Sequence, residues 1–380
     1  MKKIGLLVLL SFFTIFTRAT TVSIHIYSDR TFSSVIMAPA AGNYILEGNY
    51  RIIDSCSLTN VYEITVFNDS LIQVKNLDRV IGNFTRLHFR GYGPTNQYYL
   101  KPSSEKNKHL FNDDIVITAE KGSLKLLSQI DIEHYVAGVV QCEAGLRKPK
   151  EYYKVQAIIC RTYALNNLAR HIVDGFELCD LVHCQVYQGE THNPDILQAV
   201  EETKGIVLVD GNNQLINAAF HSNCGGQTIN SEDVWNKALP YLQARQDTFC
   251  IHQPAANWKK QLTLKDWQTY LTKKETNLKK SPIPSSHWDS IPDGRKIYYY
   301  DNGYLIPLKD MRTELNLHST FFTVNSDGDN VTLIGRGYGH RVGLCQEGAI
   351  HMSQTGYNYE QILHYYYANV QLINYSILFN

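Results

Sequence analysis

The sequence predicts an α+β fold of mixed helices and antiparallel strands, and three observations predict it. Alternating or β-branched runs crowd residues 20–125. Apolar residues at helical spacing begin near residue 127 and recur to the end of the chain. The two kinds of element then mix without the strand–helix alternation of a parallel α/β sheet. The chain has 380 residues, 44% of them hydrophobic, which is enough for a substantial packed core.

At the N-terminus Lys2 and Lys3 precede an apolar stretch, 4–16, and a loose small-x-small site, Thr17-Arg18-Ala19. This predicts an export signal over 1–19, cut near Ala19. The apolar stretch falls short of the roughly 20 residues of a membrane span, although an uncleaved anchor is the alternative. No other stretch is long and apolar enough to span. The protein is therefore expected outside the cytoplasm, in the periplasm or cell envelope.

Strands are expected at 21–26, 61–67, 71–74 and 115–119, separated by turn signals such as Ala41-Gly42-Asn43 and Gly91-Tyr92-Gly93-Pro94. Residues 127–140 carry Ile130, Ile132, Tyr135, Val136 and Val139 at helical spacing. Pro149 introduces a second helix over 151–170, with a stripe of Val155, Ile158, Ile159, Thr162 and Leu165. Asn193-Pro194-Asp195 starts a short helix to Thr203 that Gly205 closes. Strands follow at 206–209 and 214–220. A lysine- and proline-bearing stretch, 272–286, reads as a solvated connector. A strand at 331–334 leads through a Gly-rich turn to a helix from about Val342, then an aromatic helix over 359–367 and a short strand.

Lysine plus arginine and aspartate plus glutamate are both 36, so the formal net charge is zero. A nucleic-acid binder needs a basic surface to displace counterions, and none is indicated. The 25 tyrosines suit flat walls for sugars, and equally suit strands and helix faces. Eight cysteines in a chain of this size do not make a disulfide scaffold.

Chemistry concentrates in a few blocks. Glu143 stands at the end of an apolar run, where burial raises a carboxyl pKa and makes a general acid; a surface glutamate at a helix end is the plainer reading. Arg161 and Tyr163 follow on the next helix. Arg161 interrupts an apolar run, so its guanidinium is expected to be paired, with a substrate carboxylate, with Glu143 or in a structural salt bridge. Cys179, His183 and Cys184 lie within six residues, and His171 completes a Cys2His2 donor set suited to zinc. Ordinary thiols or a disulfide are the alternative. His221-Ser222-Asn223-Cys224-Gly225-Gly226 holds a histidine and a serine, but the sequence has no G-x-S-x-G elbow for a serine nucleophile. A Cys224–Cys250 disulfide would close the loop after it. Closely spaced glycines at 335–343 let the backbone line a groove, with Tyr338, His340 and Gln346 as hydrogen-bonding groups; a structural turn is the other reading.

Taken together, these blocks resemble the SpoIID/LytB family. Its acid-bearing stretch, D-x-E-x-Y-x-x-G-V-V-x-x-E, corresponds to residues 131–143, and K-A-Q-A-x-x-A-R-T-Y-A-L to residues 154–165. Further matches are Gln185-Val186-Tyr187-Gln188-Gly189, the His221–Gly226 block with Ser231-Glu232-Asp233-Val234-Trp235, and the block around Gly339-His340. The resemblance covers about residues 110–375, preceded by a β-rich region, 20–109. It implies a lytic transglycosylase acting on peptidoglycan strands stripped of stem peptides, in septal or division-associated remodelling, or else an enhancer of a cell-wall amidase. Glu143 would be the catalytic acid and Arg161 the needed arginine. Tyr163, Tyr187, Ser222, Lys260 (in Trp258-Lys259-Lys260), Tyr338, His340 and Gln346 would bind substrate. Zinc on His171, Cys179, His183 and Cys184 would be structural, and the proposed chemistry needs no cofactor. A zinc amidase using that cluster is a weaker reading, since it needs an open metal position. The chain departs from the family at Ala144-Gly145, usually Met-Pro, and at Arg341, Leu344, Cys345 and Glu347, which replace glycine, methionine, serine and tyrosine.

Overall fold

The computed structural model describes residues 20–235, 237–275, 298–301 and 304–378. The expected signal, 1–19, and most of the expected connector lie outside them. Residues 272–275 of that connector end a helix, Leu264–Glu275.

The molecule is α+β. Two long antiparallel strands, Ser34–Gly48 and Arg86–Pro102, form the spine of an eleven-stranded sheet. Their register sets Met37 against Leu100 and Leu46 against Phe89, so buried side chains share one face. Beside the second spine strand run Asp114–Glu120, Ser123–Asp131, Thr21–Ile26 and the short parallel strand Leu178–Cys179. The sheet thus crosses residue 109, where the sequence suggested a division. One hydrophobic core runs from Val22 to Val370.

The helices pack at the end of this sheet. Residues 127–131, expected as helix, complete the strand Ser123–Asp131. Its inward positions, Leu124, Leu126, Ser128 and Ile130, alternate with period two, and only the large residues that follow take up helical spacing. The switch falls at Asp131, whose side chain accepts the Glu133 N–H and caps α1 (Ile132–Ala144). Gly145, at φ +71°, ends α1. Pro149 stands just before α2 (Lys150–Asn166), which buries the expected stripe. Asn193 caps α3 (Pro194–Glu202). Strand Ile206–Val209 pairs with Gln371–Asn374.

Two expectations need correction. Of 214–220, only a bridge at Leu215 and the short strand Phe220–His221 form. After α4 (Glu232–Trp235), α5 (Leu264–Glu275) and α6 (Leu308–Glu314), helix α7 (Gln346–Gln354) starts four residues later than expected. Val342 instead bridges Ile229, the chain bends at Gly343, at φ +71°, where a Cβ would meet the Ala219 carbonyl at 2.2 Å, and Leu344–Cys345 runs beside Phe220–His221. An Asn358–Gln361 capping box opens α8 (Tyr359–Tyr366).

A smaller core is inserted into this frame. Strands Asn257–Thr263, Phe322–Ser326 and Asn330–Arg336 form a three-stranded antiparallel sheet. Trp258, Trp267, Leu271, Ile306, Met311 and Leu333 pack on it, with α5 and α6. Among the described residues no helix is long and apolar enough to cross a membrane.

Candidate active site

Glu143 occupies the last turn of α1, where helix carbonyls present partial negative charge. It is half-buried, and its Oε1 accepts the N–H of Val186 at 3.3 Å. Burial pushes the carboxyl above its usual range; the Val186 N–H works the other way and is the smaller effect. The result is an acid inclined to keep its proton while one edge stays open to solvent.

The segment bearing Val186 is held by close approach. Gly138 of α1 has no room for a Cβ, which would meet the Gly189 carbonyl at 2.4 Å and the Tyr187 ring at 2.5 Å. Tyr187 is fully buried against Tyr135 and Phe111. It therefore cannot wall a sugar site as expected; it wedges the loop that touches Glu143.

From the other side comes the Gly-rich block. Gln346, first residue of α7, donates from Nε2 to the Glu143 carbonyl at 3.3 Å. The next N–H, of Glu347, donates to the Ser222 carbonyl at 3.0 Å. Tyr338 and Asn223 exchange backbone hydrogen bonds, and the Tyr338 ring, 47% exposed, stacks on His318 at 4.7 Å. His340 lies edge-on to His221 and tilts against Trp235. Burial, then the Arg312 charge, pushes His340 down to about 4. Burial and the neighbouring His340 push His221 down as well. Both imidazoles are thus neutral at pH 7. His340 accepts the Val342 N–H at Nδ1, and His221 donates from Nδ1 to the Val342 carbonyl. Ser222, Tyr338, His340 and Gln346 therefore share one neighbourhood that reaches Glu143 through Gln346.

The remaining expected substrate residues are engaged elsewhere. Arg161 is 0% exposed. Its Nε donates to both Glu133 carboxylate oxygens at 3.0 and 3.1 Å, and its Nη1 to the Ile206 carbonyl at 3.0 Å. Glu133 also accepts the Gly205 N–H. Of the partners open to it from the sequence, Arg161 takes the structural salt bridge, because Glu133 offers a bidentate carboxylate in the core. Tyr163 lies beside the Cys/His cluster: its hydroxyl accepts from Arg170 Nη1 at 2.8 Å and donates to the His183 carbonyl. Lys260 donates to the Leu315 carbonyl within the inserted core. No described contact links Lys260 to Glu143.

His171, Cys179, His183 and Cys184 converge, with one ligand atom from each within 4.8 Å of the others. Cys184 Sγ lies 3.6 Å from His171 Nε2 and 3.8 Å from His183 Nδ1. On its other nitrogen His171 meets the Asp174 carboxylate at 3.2 Å, which turns Nε2 toward the sulfurs. Two thiols and two imidazoles at this spacing fit a closed tetrahedral zinc.

Sequence reasoning missed the Val186 N–H and Glu133. A backbone donor leaves no sequence signal, whereas Glu133 stood inside the D-x-E stretch and was readable as an acid needing a partner.

A profile of the family described as SpoIID, Stage II sporulation protein, matches residues 120–209, which hold α1, α2 and the Cys/His cluster. Stage II sporulation protein D of Bacillus subtilis (strain 168) is 30% identical over 288 residues, covering 72% of this chain and 83% of that protein. Its counterpart in Bacillus amyloliquefaciens is 27% identical over 262 residues, 65% and 75% of the two chains. The Amidase enhancer of Bacillus subtilis (strain 168) is 29% identical over 292 residues, 63% of this chain and 40% of that longer protein. With its helix-borne acid and the blocks that meet around it, the chain belongs to the SpoIID/LytB family.

Proposed function

We propose that this protein is an exported cell-wall enzyme, a lytic transglycosylase that cleaves the β-1,4 bond after N-acetylmuramic acid in peptide-free glycan strands. One observation carries the reading: Glu143 is a half-buried, desolvated carboxyl that accepts the Val186 N–H, while Gln346 holds its main-chain carbonyl. Glu143 gives its proton to the leaving oxygen as the C1–O bond breaks and an oxocarbenium-like centre develops. The resulting carboxylate takes the proton of the sugar's own C6 hydroxyl, whose oxygen closes on C1 as a 1,6-anhydro ring. Glu143 ends protonated, and no water is consumed. An ordinary glycosidase needs a second free carboxylate for water or covalent attack. The nearby candidate, Glu347, already accepts from Asn223 Nδ2 and the Ala255 N–H.

Exposed Tyr338 suits an uncharged sugar face, and Ser222 and Gln346 would supply hydrogen bonds. Zinc on His171, Cys179, His183 and Cys184 would fasten the loop leading to Gln185 and Val186 and take no part in proton transfer.

In the test, peptide-free glycan strands are incubated with the native chain and with Glu143→Gln, and 1,6-anhydro ends are sought by mass spectrometry. Anhydro products from the native chain alone are expected; products from both would sink the assignment. The similarity to an amidase enhancer favours one second reading, a glycan-binding module that stimulates a cell-wall amidase. It predicts strand binding and amidase stimulation that survive Glu143→Gln, without anhydro ends from either form.

A further inference from the structure

Three cysteines and one aspartate meet in the core at a place the proposed chemistry does not use. Cys224, Cys250, Cys345 and Asp247 are each 0% exposed. One ligand atom from each lies within 4.8 Å of the others. Cys224 Sγ stands 3.4 Å from Cys250 Sγ and 3.3 Å from Asp247 Oδ2. Ligands on a tetrahedral zinc with Zn–S bonds of about 2.3 Å stand about 3.8 Å apart, so small movements would seat an ion among the four.

The surroundings resemble a ligand shell with its outer support. The Cys224 N–H points at Cys345 Sγ at 3.3 Å, the Tyr366 hydroxyl donates to Asp247 Oδ2 at 2.9 Å, and the Phe249 N–H donates to Asp247 Oδ1 at 3.0 Å. Donors of this kind orient thiolate and carboxylate ligands. Gly348 lets α7 pass against the carboxylate, since a Cβ there would meet Asp247 Oδ2 at 2.6 Å. Among the described residues no lysine, arginine or histidine forms an ion pair with Asp247. A buried carboxylate without a counter-charge is costly, and a cation among the thiols would supply one.

We propose that Cys224, Asp247, Cys250 and Cys345 form a second structural zinc site, separate from the His171 cluster, that clamps the segments supplying its ligands. The three thiols lose their protons on binding, and the protein fills all four positions, leaving none for a reacting water. The site ties together the 222–226 turn, the 247–250 turn and the entry to α7. Cys345 directly precedes Gln346, whose side chain donates to the Glu143 main-chain carbonyl, so the clamp fixes that contact. A Cys224–Cys250 disulfide, expected from sequence, would instead leave Cys345 as a lone thiol beside an uncompensated Asp247.

The full chain, purified without chelators, is tested in two ways. Zinc per chain is counted in the native form and in Cys345→Ser. Cysteines are mapped by maleimide labelling after unfolding in guanidinium without reductant. The native form is expected to hold one more zinc per chain than the variant, and Cys224, Cys250 and Cys345 should all label. A Cys224–Cys250 linked peptide, or equal zinc in both forms, overturns the proposal. A variant that fails to fold does not shelter it, because zinc-edge X-ray absorption of the unmodified chain decides independently. About two and a half to three sulfurs per zinc are expected, and two or fewer overturn the site.

Discussion

At Glu143 the useful property is a carboxyl raised by burial, and its sign fixes two pH dependences. In the proposed mechanism the protonated form is the working acid, so anhydro formation should fall as pH rises through the raised pKa. For stability, a folded-state pKa above the unfolded value favours folding fully below the unfolded pKa, and that contribution is lost as pH climbs through the folded one. Glu143→Gln removes the burden of a desolvated charge and should therefore raise the melting temperature at pH 8 with little change at pH 4. Calorimetry of both forms checks this; an equal shift at the two pH values would show that the charge is not the cause. The burial of Glu143 was legible in sequence because it follows an apolar run. The fate of Arg161 was not, because its partner Glu133 lies 28 residues away and only the packing of α1 on α2 brings them together.

Between elements, the Arg161–Glu133 pair locks α1, α2 and the Ile206–Val209 strand into one block, through Ile206 and Gly205. Arg161→Ala leaves the Glu133 carboxylate buried and unpaired, which costs about 3–5 kcal/mol. The double change Arg161→Met with Glu133→Leu should recover much of that loss, as denaturant unfolding of the single and double variants would show. A purely substrate-binding arginine would instead lose activity without losing stability. Gly138 tests the neighbouring contact between α1 and the 185–189 loop. Gly138→Ala drives a methyl into the Gly189 carbonyl and the Tyr187 ring, and overpacking of this kind costs about 1–3 kcal/mol. Because that loop carries the Val186 N–H, anhydro yield should fall further than stability alone explains, seen as a lower kcat in protein still folded. Sequence periodicity found these helices but misplaced the start of α1, since Ile130 and Ile132 satisfy both a strand alternation and a helical stripe. Nothing before Asp131 marks which one wins.

For the whole molecule, the division that matters lies within the second half of the chain rather than at residue 109. Among the described residues two hydrophobic cores form, and the smaller is an insertion whose ends meet: the Gly337 N–H donates to the Ala256 carbonyl at 2.9 Å. Composition along the chain gave no sign of this. The insertion uses the same mix of strands and helices as the frame, and only the packing of Trp258 and Trp267 away from the main core separates them. An insertion closed at its base can be excised with little loss of long-range order. Joining Ala256 to Gly337 should leave the main thermal transition cooperative and reduce its enthalpy roughly in proportion to the residues removed. The excision also removes His318 from beneath Tyr338 and Phe321 from beneath Arg341, so the exposed Tyr338 ring loses its backing. Strand affinity should therefore weaken more than the intrinsic rate of cleavage, read as a raised KM with kcat largely kept. Loss of the main transition would instead show that the two cores fold as one unit, with the insertion acting as a brace for the frame that carries Glu143.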